Sequence, residues 1–271
     1  MIKRNCMKHI HYKSKLKLSP WRKISLGSWK PKGDSSIYAF EDFNVDKVLE
    51  FCKNQSVSFS SFVIKALSST INQNNRINSI IRFGNIYQRK QNTIFVHTLT
   101  NTNQDDLSGV LIKGAYDKEL QKVDTEFKIE INNVKNGKEE HITSKKSFKR
   151  IPAILSKYFL DGLSFLMYSL NIHFKQLPSI KDPFGSVMLT NIGSLNIQKA
   201  FCPIAPYTRI PMVVSLGRIE QRPTIFKDEI VKSNMATFGF TFDHRIMDGI
   251  HFSNFIQTFQ SFFLDPKLIL K

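Results

Sequence analysis

The stretch Phe238-Gly239-Phe240-Thr241-Phe242-Asp243-His244-Arg245-Ile246-Met247-Asp248-Gly249 sets a titratable imidazole between two regular elements. Phe238, Phe240 and Phe242 alternate with Gly239, Thr241 and Asp243, the period-two pattern of a strand with unlike faces. An Asp-Gly pair then turns the chain. Phe252, Phe255, Ile256, Phe259 and Phe263 recur at helical spacing until Asp265-Pro266 stops them. A His held at a strand–helix junction is well placed for general-base chemistry, because rigid neighbours fix its position. The plainer account is a packed His and an Asp248 that only caps the next helix.

The whole string decides between them. Asp243-His244-Arg245-x-x-Asp248-Gly249, followed by Phe252-x-x-Phe255, resembles the signature of the dihydrolipoamide acyltransferases. These are the acyl-transfer catalytic domains of the 2-oxo-acid dehydrogenase complexes, within the chloramphenicol acetyltransferase-like superfamily. Phe242-Asp243-His244-Arg245 looks like the dehydrogenase-complex branch and not the His-His form of the antibiotic enzymes. The resemblance implies a single α/β domain with a mixed β-sheet and packed helices. It also implies a homotrimer with each active site between subunits, and coenzyme A as acyl carrier.

A second stretch, Asp182-Pro183-Phe184-Gly185-Ser186-Val187-Met188-Leu189-Thr190-Asn191-Ile192-Gly193, looks like the family's strand ending in Ser/Thr-Asn-Leu/Ile-Gly. By that likeness Thr190 is the hydroxyl donor to the oxyanion, and a fixed hydroxyl there lowers a barrier by roughly 3 kcal/mol. Taken alone it is a strand Thr before an Asn-x-Gly turn. The related acetyltransferases carry an early Arg that pairs with the motif Asp. Arg22, in Trp21-Arg22-Lys23, is the candidate, with Asp248 as partner, and an Arg–carboxylate fork would lock the turn carrying His244. The implied mechanism has His244 as base and Thr190 as oxyanion donor, with Asp248 and Arg22 orienting. His244 of one subunit would face Thr190 of its neighbour. Asp243 and Arg245 are given structural roles only. No coenzyme-contacting residue is assigned, and no metal site or covalently attached lipoyl group is expected in this chain.

The elements that must position these groups follow from periodicity. Asn44 starts a helix through Val45, Val48, Leu49 and Cys52, and a second presents Phe59, Phe62, Val63, Ala66, Thr70 and Ile71. Ile77 to Phe83, a Gly84-Asn85 turn and Ile86 to Arg89 predict a hairpin, and Asn92 to Leu99 a strand. Asp117 to Val134 predicts an amphipathic helix, and Asn136 to Arg150 a basic loop. Arg209 to Gly217 predicts a buried strand after the Pro-bound loop at Cys202-Pro203. Residues 1–20 form a basic arm and 21–271 the catalytic domain. Within it, 135–180 departs from the family as a basic loop plus an apolar segment, Ile151 to Phe174. That segment is too short without interruption to span a bilayer. Packing in an oligomer is its first reading and peripheral membrane contact its second.

Composition bounds the rest. The chain has 271 residues, 23 Phe and a formal net charge of +17. Such charge raises affinity for polyanions, but no nucleic-acid motif or aromatic–basic interleaving accompanies it, so no nucleic-acid partner is expected. Cys6, Cys52 and Cys202 lie far apart with no CxxC pair, which points to a reducing, cytoplasmic setting. The expected activity is coenzyme A-dependent acyl transfer between a thioester and an acceptor thiol or hydroxyl. No lipoyl domain precedes the core, so a free-standing enzyme is expected, its acceptor unknown or a lipoyl group on another protein. Two rivals are a catalytically silent trimeric scaffold and a basic membrane-associated protein of the same fold.

Overall fold

The computed structural model describes residues 7–8, 11–16, 35–99, 107–136, 153–173 and 181–270. Arg22, most of the basic arm and the loop 137–150 lie outside the described residues. In chain order come β1 (Met7–Lys8), β2 (Tyr12–Lys15), β3 (Ser36–Asn44), α1 (Asp46–Gln55), α2 (Phe59–Gln73), β4 (Ser79–Arg82) and β5 (Asn85–Arg89). Then follow β6 (Thr93–Leu99), β7 (Leu107–Lys113), α3 (Leu120–Lys135), α4 (Ala153–Ser164) and β8 (Ile172–His173). The last third holds β9 (Val187–Asn191), β10 (Met212–Leu216), β11 (Glu220–Phe226), β12 (Glu229–Asp243) and α5 (Gly249–Leu264).

Seven of the described strands form one mixed sheet in the order β11-β12-β10-β9-β6-β7, with β3 also paired to β12. β9 is parallel to both β6 and β10, and the remaining pairs are antiparallel. The alternation foreseen in Phe238–Asp243 holds, but the strand begins nine residues earlier, at Glu229. Its first half pairs with β11 as a hairpin, and its second half is clasped between β3 and β10.

The Phe spacing explains how α5 docks. Phe238, Phe240 and Phe242 are buried on one face of β12 and meet Phe252, Phe255, Phe259 and Phe263 of α5. Phe43 of β3 joins them edge-on, with its ring centroid 5.5 Å from Phe259 and 5.3 Å from Phe238. Such pairs add about 0.5–1.5 kcal/mol each beyond area burial. α2 lies in the same layer and is buried almost all round, which suits an apolar helix. The opposite face of the sheet carries a smaller cluster of Phe95, Met188, Ile210 and Val213. Gly239 faces that side, where a Cβ would stand 2.5 Å from Ser215 Oγ and 2.7 Å from the Ala200 carbonyl. Only glycine fits there.

Two expectations need adjustment. The hairpin turn is Phe83-Gly84, not Gly84-Asn85: Arg82 pairs with Asn85, and both loop residues have positive φ, +46° and +68°. This is the left-handed two-residue loop that matches strand twist. The helix expected from Asp117 starts at Leu120, after a single 3₁₀ turn at Ala115–Asp117. The apolar segment is α4 running into a π-type turn at Phe165–Ser169. Its Met167 and Tyr168 pack on Ile80, Tyr12 and Tyr87 of the small β2-β5-β4 sheet, while Tyr158 and Phe165 face solvent. Among the described residues, no helix is long and apolar enough to cross a membrane.

Candidate active site

His244 follows the last residue of β12, where the sheet ends and the chain turns into α5. Its amide donates to the Ser35 carbonyl at 2.9 Å, which continues the β3 pairing by one step. The turn is closed by the Ile246 and Met247 amides, both donating to the Asp243 carbonyl, at 3.0 and 3.1 Å. Arg76 Nε donates to the Ile246 carbonyl at 2.8 Å and ties the turn to the segment after α2. These bonds put His244 Nδ1 3.0 Å from the Met247 carbonyl oxygen. A carbonyl can only accept, so Nδ1 carries the hydrogen, and in the neutral ring Nε2 is then the basic nitrogen. One backbone contact therefore fixes both the tautomer and the ring's direction.

Asp243 and Arg245 hold the turn from its other side. Arg245 Nε donates to Asp243 Oδ1 at 2.9 Å and Nη2 to Oδ2 at 2.6 Å, a bidentate fork. The Arg245 amide and Ser35 Oγ also donate to Oδ1, at 2.9 and 3.1 Å. Asp243 and its bonds keep the Arg245 guanidinium charged above its ordinary range, against the opposing effect of burial. Both structural roles foreseen for these residues are present. The fork that locks this turn is Asp243–Arg245. The pairing of Asp248 with Arg22 lies outside the described residues.

Asp248 is the N-cap of α5. It accepts from the His251 amide at 3.5 Å, and its carboxylate also meets His251 Nδ1, giving a capping box with His in the reciprocal position. The cap foreseen as the plainer reading of Asp248 is therefore real. It fixes where α5 begins and so where the turn carrying His244 ends.

Thr190 lies on β9, in register with His97 of β6 on one side and Ser215 of β10 on the other. Its side chain is on the face away from the helices, the face of Met188. His97, which sequence reasoning did not single out, is its cross-strand neighbour, and burial lowers the His97 pKa below the usual imidazole value. A lone His in the strand pattern Thr93 to Leu99 gives no signal by itself; only the β6–β9 register exposes it. Ser215 Oγ is committed to the Ala200 carbonyl at 2.6 Å.

The register also measures how far the two candidate groups are apart. Thr190 aligns with Ser215 and Gly239, and His244 is five residues further along β12. With about 3.4 Å per residue and about 4.8 Å between strands, they stand roughly 19 Å apart within one chain. Among the described residues, no group of His, Cys, Asp and Glu is arranged to hold a metal. Cys52 and Cys202 are free thiols, and burial pushes Cys52 up to about 11.

The fold defines a class. This mixed sheet with its helix layer is the chloramphenicol acetyltransferase-like fold. It matches a chloramphenicol acetyltransferase with a TM-score of 0.51 at 11% identity, over 95% of this chain and 100% of that one. Residues 181–271, the last third of the chain, match the family 2-oxoacid dehydrogenases acyltransferase (catalytic domain). The same likeness appears as 32% identity over 86 residues to the dihydrolipoyllysine-residue acetyltransferase component of the pyruvate dehydrogenase complex of Bacillus subtilis (strain 168). That stretch is 32% of this chain and only 19% of the Bacillus protein. A solved dihydrolipoamide acetyltransferase of Azotobacter vinelandii superimposes with a TM-score of 0.62 at 13% identity, over 87% of this chain and 84% of that one. It was studied for the role of a serine, a histidine and an asparagine in its catalytic mechanism.

Proposed function

We propose that the protein is a coenzyme A-dependent acyltransferase that moves an acyl group between a thioester and an acceptor thiol or hydroxyl. The observation that carries this reading is the fixed tautomer of His244, in the stretch that matches the acyltransferase family. A base must be aimed as well as basic, and the Met247 carbonyl does the aiming.

In this reading His244 Nε2 takes the proton of the incoming thiol or hydroxyl as it attacks the thioester carbonyl. Thr190 Oγ1 donates to the oxygen on which negative charge develops. The imidazolium then returns the proton to the departing thiolate, and no covalent bond to the protein forms. Asp248 and the Asp243–Arg245 fork position the His244 turn and take no part in bond making. The Azotobacter triplet has its serine and histidine 52 positions apart and its asparagine four beyond. Thr190, His244 and Asp248 repeat this order at 54 and four, with hydroxyl and base kept and a carboxylate in the third place.

A carbonyl carbon cannot reach two groups roughly 19 Å apart. The reading therefore requires His244 of one copy to meet Thr190 of another, as a closed homotrimer provides. The test is thiol release from a panel of acyl-coenzyme A donors with dihydrolipoamide as acceptor. Release that needs both the acceptor and His244, and disappears in His244→Ala, is the expected result. Release unchanged in His244→Ala would overturn the assignment.

A further inference from the structure

Beneath the His244 turn, on the sheet face away from the helices, lies a cavity of about 870 Å³. Asp243, Arg245 and Ile246 form one wall, Ser35 and Ser36 its edge, and residues 203–210 another. The segment Asp161 to Phe165, at the end of α4, closes the far side. The volume is that of a small-molecule site. Its interior is mostly apolar, with Ile81, Ile204, Ile210 and Ile246 in the wall.

Two guanidinium groups enter this apolar space, and they are not equivalent. Arg245 is neutralised by its fork with Asp243. Arg209 lies beside it, because the β10–β12 pairing continues through the Asp243 amide bonded to the Pro211 carbonyl at 2.9 Å. Arg209 has Ser164 Oγ as a hydrogen-bond partner at 3.1 Å. Among the described residues it forms no ion pair. Asp161 attracts it electrostatically but stands at the exposed rim, where water screens the charge. Burial, and then the charge of Arg245, disfavour its protonated form, yet guanidinium stays charged in proteins. The backbone holds Arg209 at φ +54°, a left-handed conformation that non-glycine residues adopt at some cost. That conformation caps the 3₁₀ turn Pro206–Thr208 and fixes where the side chain starts. A guanidinium in a cavity wall, with no ion pair among the described residues, points toward an anionic ligand.

We infer that this cavity binds a small amphipathic acid, its apolar body against the isoleucines and its carboxylate on the fork of Arg209. A guanidinium presents two parallel donors that match a carboxylate. One uncompensated positive charge suits one carboxylate better than a phosphate dianion. The inference rests on the acyl-transfer reading only in making the acid a substrate, as acyl group or acceptor. The binding itself does not depend on it.

Calorimetry with the full chain tests the binding directly, using octanoate, its neutral counterpart octanamide, and octyl phosphate. Octanoate should bind at least tenfold more tightly than octanamide, and Arg209→Gln should remove that preference. The loss is local, since the variant changes the net charge by one in seventeen. Arg209→Lys keeps the charge and removes the fork. It should bind octanoate several-fold more weakly, and it supplies the comparison if the Gln variant loses its cooperative melt. Equal binding of octanoate and octanamide, or octanoate binding untouched in both variants, overturns the inference. Arg209-dependent binding of octyl phosphate tighter than octanoate overturns the carboxylate assignment. Because no turnover is measured, loss of the acyl-transfer reading leaves this result standing, and thioester turnover without octanoate binding leaves only the reaction.

Discussion

The two ends of the sheet treat their polar residues differently. At the His244 end, Ser35, Arg76, Asp243, Arg245, Met247, Asp248 and His251 all bond to the turn or cap it. At the Thr190 end, strand pairing to β6 and β10 does most of the positioning. Asn191 then caps the short turn after it by accepting from the Ser194 amide at 3.2 Å. The contrast suits the tasks proposed for the two ends. A base must present one particular nitrogen, so its tautomer has to be set by a partner. A hydroxyl donor swings its hydrogen about one bond, so a rigid strand is enough. On the proposed reaction each end supplies half of the site, and within one chain the halves lie roughly 19 Å apart.

The largest expected effect comes from breaking the base. His244→Ala should lower thioester-to-thiol transfer about 10³-fold, within the 10² to 10⁴ typical of general-base loss. Thr190→Val should cost about 10², and Thr190→Ser should recover most of it, because only the hydroxyl is needed. Mixing the two dead forms sharpens the comparison. If His244 meets Thr190 of a neighbour, refolded mixtures of His244→Ala and Thr190→Val chains contain intact sites. Random assortment makes these about a quarter of the total in a closed ring. Activity near that fraction is expected, and no recovery beyond either parent would show that the two groups do not meet across copies.

The fork and the cap come next. Asp243→Asn leaves the Arg245 guanidinium without its carboxylate and should destabilise the chain by about 2 kcal/mol, less than a fully buried pair because Arg245 is partly exposed. It should also lower kcat, since the turn aims His244. Asp248→Ala removes the α5 cap and should cost about 1 kcal/mol. Denaturant unfolding of both variants beside steady-state kinetics checks this ranking, and an Asp248→Ala loss larger than the Asp243→Asn loss would reverse it.

What the sequence made legible was whatever one element could encode alone. The alternating Phe238, Phe240 and Phe242, followed by helically spaced Phe252 to Phe263, announced a strand and its packing helix. His244 was legible because its string is long and local. The Asp243–Arg245 fork was invisible as a bond, because two residues of one motif do not declare which face they share. β3 and β7 were missed. β3 mixes Ile37, Tyr38, Ala39, Phe40 and Phe43 with polar residues and is half-exposed, without a clean alternation, and its identity comes from nine residues of pairing with β12, more than 190 positions away. Arg209 and His97 gave no signal, since their surroundings come from other strands and from the apolar segment. Propensity and pattern report the element; register reports the site.

The smallest expected effect distinguishes the ends by pH. Burial holds the His97 pKa below its unfolded value of 6.5. Between the folded and unfolded values the unfolded chain binds more protons, so stability falls as pH drops below about 6.5 and is fully present above it. His97→Gln cannot take up that proton. It should flatten the acid side of the stability curve by a few °C in Tm between about pH 7.5 and 5. The correction should be partial, because burial and Lys181 lower the His173 pKa as well. Melting curves of the two proteins across that range decide it. An unchanged pH slope in His97→Gln would mean that this imidazole is not a buried neutral group and that the Thr190 end is wetter than its strand pairing implies.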